Sequence, residues 1–474
     1  MASDGNTAAG AAVNGAVFPE DDMSDSTVTP SGGQAASTSS GETARPTATG
    51  EPSSNQTGAG TSTGGTASGG LIPAAGAPGV TDTEIIIGVE ALSDPSAAME
   101  SVGYNGEGAS NAETRRVVDA VFDAINRRGG IAGRTAVPLL HYTDVTVGTH
   151  ASRGQQACSF FTEDNQVWAV VAQGNHSDPF PVCLAEKGVP LIDDANSLPM
   201  DDAQANALSP FIYWPMKLSL SRFDAYIDGL AEAGFFDDGT IGLLRYDRPS
   251  HERAMNDVIV PALERHGFTL EIDFAFSEVQ SIGDLSGTSA EASNAVLQFR
   301  QAGVDRVLFL PTALVLQTLF PPAASSQQYY PRYGINSAEG PKGWTANASP
   351  SQLEGAMAVG WNGMSDRGSA SENFDNALWV YCRDIMTEHG ALEAGAWGCG
   401  PYFFLQEAAS RAPDLSPQGL RAGADQIGTA AYSTKNYGTD SRPGRWDAVA
   451  ARITMAYAAA CNCFEPITSV TLIP

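Results

Sequence analysis

Positive charge is scarce in this chain. Its 26 Lys and Arg residues stand against 54 Asp and Glu, for a formal net charge of −28 over 474 residues. Binding to DNA or RNA needs clustered cations to neutralise phosphates, so nucleic-acid partners are excluded on charge. An anionic membrane surface is disfavoured for the same reason. Long apolar runs are missing too: nowhere do about 18 apolar residues follow one another, so no membrane-spanning helix is expected. The N-terminal stretch MASDGNTAAGAAVNG has neither a basic region nor a continuous apolar one, so it does not read as a signal peptide. The chain is therefore expected to be cytosolic or a mature form whose export signal has been removed.

Motifs for chemistry are equally thin. The six cysteines (158, 183, 382, 399, 461 and 463) form no C-x-x-C pair, so zinc spacing is absent. An even count without metal spacing leans towards disulfides and an oxidising compartment. There is no Walker A pattern, no G-x-S-x-G and no H-E-x-x-H, and the six histidines show no ligand spacing. The acidic pairs Asp21–Asp22, Asp193–Asp194, Asp201–Asp202 and Asp237–Asp238 lie mostly at turns and read as solvated carboxylates. No catalytic residue, metal or cofactor is expected.

Residues 1–79 are dominated by Gly, Ala, Ser and Thr, with Phe18 the only aromatic residue and Arg45 the only basic one. Such a segment buries too little apolar surface to offset its ordering entropy and is expected to be a disordered, flexible tether. From Glu84 onward short apolar runs alternate with amphipathic ones. Strands are expected at 84–92, 136–144, 167–174 and 189–193, with helices near 105–128, 149–163 and 178–187 between them. After YWPMKLS the pattern restarts: strands at 240–247, 268–276 and 305–311, with helices at 251–267 and 290–303. Two successive βαβα series imply an α/β fold of two doubly wound parallel sheets. The tail carries helices near 371–388 and 401–411, expected to return to the first lobe, before the segment RWDAVAARITMAYAAACNCFEPITSV.

The glycine-rich stretch NRRGGIAGR (126–134) is the natural place to look for a phosphate loop. A dinucleotide fingerprint follows a strand and opens a helix. Here the glycines follow a helix and precede the strand AVPLL, so they read as a helix stop, with Arg127 and Arg128 suiting its negative end. The strand ends are more informative, because open α/β sheets bind ligands there. GNHSDPF places Asn175, His176 and Ser177 between a strand end and a helix start, where free N–H groups suit an anion. DDANS places Asp194, Asn196 and Ser197 at a neighbouring strand end. Together they suggest a small polar pocket.

With these residues in view, a family resemblance emerges. The stretch VTDTEIIIGV…GYNGEG…AINRRGGIAGRTAVPLLHYTD resembles the type I solute-binding proteins of branched-chain amino acid ABC importers, with Asn126, Gly129, Gly130, Ile131, Gly133 and Asp144 in the matching places. ACSFFTEDNQVWAVVA, EKGVPLI, YYPRYGINSAEG and EGAMAVGW fit as well. The resemblance implies two flavodoxin-like lobes joined by three crossings and closing on a small ligand. It divides the chain into lobe 1 at 80–212 and 360–440 and lobe 2 at 213–359 and 441–474. It implies ligand contacts from Tyr104, Asn175–His176–Ser177, Asp194, Asn196–Ser197, Ser250 (with Arg248 in the same loop) and Glu339, the last meeting an ammonium. Asn175 and His176 stand where the family has hydroxyls, and a negative Asp194 at the rim would repel a carboxylate. A neutral polar ligand, an amide, a urea-like compound, an aromatic acid or a peptide fragment is then expected beside an amino acid. Cys158 and Cys183 flank the strand VWAVV, so a disulfide tying their helices is expected, with Cys382–Cys399 closing a second loop. Cys461-Asn-Cys463 could pair only with strain, and its partners stay open.

The resemblance further implies an ABC permease as partner. It also implies an extracytoplasmic location in which the leader resembles the tether of a surface lipoprotein of actinobacterial type, its acylated cysteine lying upstream. The expected function is capture of a small polar ligand and its delivery to the importer. The alternatives are a ligand-sensing receptor domain or, third, an enzyme on the same architecture.

Overall fold

The computed structural model describes residues 71–94, 109–174, 178–194, 198–210, 212–213, 217–367, 377–429 and 433–474. The expectations for residues 1–70 and for Tyr104 lie outside these. Residues 71–79, grouped with the leader on composition, are tied to the folded part. Pro73 accepts from Leu415 N (2.9 Å), Ile72 from the Arg134 guanidinium (2.9 Å) and Gly79 from Ile86 N (2.9 Å).

The first sheet is built from β1 (Glu84–Leu92), β2 (Thr135–Thr143), β3 (Ala169–Ala172), β4 (Leu191–Asp193) and β5 (Ile212–Tyr213), all parallel, in the order β2-β1-β3-β4-β5. Helix α1 (Asn111–Arg127) enters from an Ser110 cap whose side chain accepts from Glu113 N, and it buries Val117, Val118, Val121, Phe122 and Ile125. It stops where the sequence places its stop. Gly129, Gly130 and Gly133 all have positive φ, and a Cβ on Gly130 would lie 1.8 Å from Arg134 O, so no other residue fits there. Asn126 then behaves like an added strand residue: its side chain donates to Ala136 O (3.0 Å) and accepts from Ala136 N (2.8 Å). Helices α2 (His150–Ser159) and α3 (Pro179–Glu186) are joined by the Cys158–Cys183 disulfide.

The second sheet repeats this plan. β6 (Ile241–Tyr246), β7 (Leu270–Phe276), β8 (Arg306–Phe309), β9 (Arg332–Asn336) and β10 (Met357–Gly360) are parallel in the order β7-β6-β8-β9-β10, the same winding as the first sheet. Apolar clusters cover both faces, one around Phe299, Phe309, Tyr333 and Trp344, the other around Phe223, Tyr226, Phe236 and Leu243. The tail divides. Helices Ala377–Glu388 and Gly400–Arg411 pack on α1 in the first lobe, the former closed by Cys382–Cys399. The chain then returns to the second sheet and adds β11 (Ala451–Ala458), β12 (Cys463–Pro466) and β13 (Thr471–Leu472), antiparallel to their neighbours.

The chain therefore passes between the sheets three times: after β5, after β10, and before β11. Side chains and backbone lace these passages together. Ser219 N donates to Asp447 (2.6 Å), linking first to third, and Gly363 N donates to Lys435 O (2.8 Å), linking second to third. Among the described residues no helix is long and apolar enough to cross a membrane.

Candidate functional site between the lobes

In a doubly wound sheet the winding reverses between two neighbouring strands, and loops leaving their C-terminal ends diverge to open a crevice. That point lies between β1 and β3 in the first sheet and between β6 and β8 in the second. In the first, Glu90 near the end of β1 is buried and accepts from Gly174 N (2.9 Å) just beyond β3. A Cβ at Gly174 would lie 2.3 Å from the Glu90 carboxylate, so this glycine is required for the approach. Gly174 leads into residues 175–177, and Asp178 follows at the start of α3.

In the second sheet, β6 ends at Tyr246, and Arg248 and Ser250 follow it at the start of the helix Pro249–Ala254. Arg248 is buried: its Nε donates to Ser250 Oγ (2.9 Å), and its Nη1 lies 3.5 Å from Glu278. Its Nη2 reaches across to Asp178 Oδ2 at 2.6 Å. The switch points of the two sheets thus face one another. Arg253–Asp201 (2.6 Å) and His150 N to Gln280 O (2.8 Å) make further contacts between the lobes.

Glu339, in the turn after β9, is fully buried. Its partner is Thr312 beyond β8, which donates through its backbone N–H and through Oγ1, 3.0 Å from both carboxylate oxygens. Tyr246 donates to Thr312 O (3.1 Å), joining the two loops. Burial outweighs these bonds and lifts the Glu339 carboxyl to about 8. Ala313 and Leu314, which follow Thr312, both hold left-handed φ (53° and 70°), a conformation costly for residues with a Cβ.

Asp194, at the end of β4, does not stand alone. Its Oδ2 is 2.6 Å from Lys435 Nζ, and neighbouring Asp193 lies 3.2 Å from Lys217 Nζ. Lys217 belongs to the first passage between lobes and Lys435 to the third. These are two of only four lysines in the chain. Burial raises the Asp194 carboxyl and lowers the Lys217 ammonium, each towards its neutral form. The pairing answers that burial with opposite charges. It also removes the ground for the expected repulsion of a ligand carboxylate, because the Asp194 charge is compensated.

No protein-family model matches the chain, and no curated protein matches it. Solved structures do. An ABC transporter substrate-binding protein from Desulfitobacterium hafniense in complex with Leu is 16% identical with a TM-score of 0.55, covering 81% of this chain and 100% of that one. The branched-chain amino acid transporter substrate-binding protein LivJ from Streptococcus pneumoniae, in complex with isoleucine, is 12% identical with a TM-score of 0.57, over 82% and 99%. A fatty acid ABC transporter substrate-binding protein from Thermomonospora curvata is 14% identical with a TM-score of 0.56, over 84% and 95%. The fold is that of the type I periplasmic binding proteins.

Within this periplasmic binding protein fold, the structure brings Ser250 and Arg248 up to Asp178, next to the loop 175–177, and sets Glu339 behind Tyr246 and Thr312. Asn175, His176, Ser177, Asn196 and Ser197, like Tyr104, lie outside the described residues. Thr312, Asp178, Glu90, Lys217 and Lys435 were not singled out from the sequence. The two lysines carried a usable signal: cations this rare in so acidic a chain are worth placing. Among the described residues, three potential metal donors, Cys461, Cys463 and Glu465, lie within 4.8 Å of one another, with the two sulfurs joined in a disulfide. That pairing supplies the cysteine partners the sequence left open.

Proposed function

We propose that this protein is an extracytoplasmic solute-binding protein that captures a small polar ligand, an amino acid or amide-like compound, between its lobes and delivers it to an ABC importer. The observation that carries the reading is the Arg248–Asp178 bridge, because it joins the loops at which each sheet would bind a ligand. On this reading the loops 175–177 and 195–197 hold one end of the ligand, and the compensated Asp194 leaves room for a carboxylate there. Glu339 receives an ammonium, which ionises its carboxyl on contact. Tyr104 and Ser250 complete the rim, and Arg248 acts as the bridge between lobes. The neighbours with Leu or isoleucine bound support this ligand class, and their being substrate-binding proteins favours binding over catalysis. Residues 1–70 serve as a tether, fixed upstream by a lipid.

A thermal-shift screen over amino acids, amides, ureas and aromatic acids tests the proposal. A ligand at 100 times its Kd adds about 2.7 kcal/mol to the folded state. No shift from any compound, with a monodisperse folded protein, would overturn it.

A further inference from the structure

The third disulfide is unlike the other two. Cys158, Cys183, Cys382 and Cys399 are all buried, whereas Cys461 is exposed and Cys463 half-buried. The buried pairs span sequence separations of 25 and 17 residues; Cys461 and Cys463 are separated by 2. A cross-link stabilises mainly by restricting the unfolded chain, and that restriction grows with loop length. The shortest loop therefore contributes least to holding the fold.

The turn that carries it is held by other means. Asn462, between the two cysteines, has a left-handed φ of 49°. Its Oδ1 accepts from Tyr457 Oη (2.8 Å), and its Nδ2 donates to Thr345 O (3.1 Å). The β11–β12 pairing on either side continues through Ala458–Cys463 and Tyr457–Phe464. Opening the sulfur–sulfur bond leaves all of these in place. The turn also lies away from the interlobe site: β11 runs antiparallel to β10, with Ala456 opposite Met357, so it sits beyond the N-terminal ends of the parallel strands.

We propose that Cys461–Cys463 is a thiol–disulfide exchange site on the second lobe, reduced and reoxidised while the protein stays folded. A thiolate of a dithiol reductant attacks the exposed Cys461 sulfur and breaks the Sγ–Sγ bond, and Cys463 leaves as thiolate and takes up a proton. The reductant's second thiolate then attacks its own sulfur in the mixed disulfide and releases Cys461 as thiolate, which is protonated in turn. Two electrons and two protons pass to the chain, and the reductant leaves as its disulfide. In the reverse direction the dithiol chain reduces a small disulfide such as oxidised glutathione.

The test uses the full chain under native conditions. Folded protein is titrated with dithiothreitol, trapped with iodoacetamide and mapped by peptide mass spectrometry, with circular dichroism recorded at each step. Cys461 and Cys463 are expected to be labelled at reductant concentrations at least tenfold lower than the four buried cysteines, without loss of secondary structure. The reduced protein should then release two glutathione thiols per chain from oxidised glutathione. A Cys463→Ser variant should release one and retain a mixed disulfide at Cys461. The proposal is overturned if all three pairs open together, if opening this pair unfolds the protein, or if residues 461 and 463 are free thiols in air-oxidised protein.

Discussion

Replacing Glu339 by glutamine keeps the shape of a fully buried side chain and removes one titration. In the native protein burial holds its carboxyl neutral up to about 8, against an ordinary value of 4.5. In the unfolded chain it ionises near that ordinary value. Between the two the native state therefore binds a proton that the unfolded state has lost, and stability falls as pH rises through the window. Below the lower value both states are protonated and the term vanishes. Across that window the loss amounts to roughly 5 kcal/mol, at about 1.4 kcal/mol per pH unit. Glutamine can keep the Thr312 contacts, accepting from the backbone N–H through its carbonyl. The comparison is urea unfolding of the wild type and Glu339→Gln at half-unit steps from pH 4.5 to 8. Burial also raises Asp194 and Asp447, and those contributions cancel in the difference. Near pH 4.5 the two proteins should be nearly equal, and the variant should gain steadily on the wild type towards pH 8. Curves that stay parallel across the range would refute the buried neutral carboxyl, and with it the reasoning that a ligand ammonium ionises it.

Two further predictions follow from the ion pairs. Lys435→Ala leaves Asp194 buried without its ion-pair partner, so unfolding stability at pH 7 should drop by about 3–5 kcal/mol; the double variant Asp194→Asn, Lys435→Met should lose markedly less, and equal losses would refute the pairing. Arg248→Ala removes the bridge to the partly exposed Asp178, worth about 1 kcal/mol, and should raise the radius of gyration in small-angle X-ray scattering without lowering the melting temperature by more than a few degrees; an unchanged radius would show that the bridge does not hold the lobes together.

The alternation of strands and helices up to β8, apart from the short β5 and the helices Asp202–Ala207 and Asp224–Glu232, was legible because those elements carry their own period, as α1 does with Val117, Val118, Val121, Phe122 and Ile125. NRRGGIAGR was legible for a different reason: its chemistry is local, and positive φ needs glycine wherever the chain lies. The last strands were harder. RITMAYAAAC is rich in alanine, a good helix former, and becomes a strand only because β10 offers an edge for it to pair with. The site was legible as strand ends but not as a network. Its deciding contacts join residues 70 apart in Arg248–Asp178 and 241 apart in Asp194–Lys435, and no period or motif in one sequence links such positions. Glu339 could be named for its place in SAEG, while its partner Thr312 could not, because a threonine after a strand looks like many others.

The lacing of the passages between lobes governs which motions remain. Two parallel connections could still shear or twist about one another. Three, tied first to third through Ser219 and Asp447 and second to third through Gly363 and Lys435, resist torsion and leave bending as the soft coordinate. If the lobes close on a ligand as proposed, this lacing would hold them to one arc that brings Arg248 to Asp178. On the proposed function, the backbone would align the two half-sites before a ligand arrives, and binding energy would not be spent in finding that alignment.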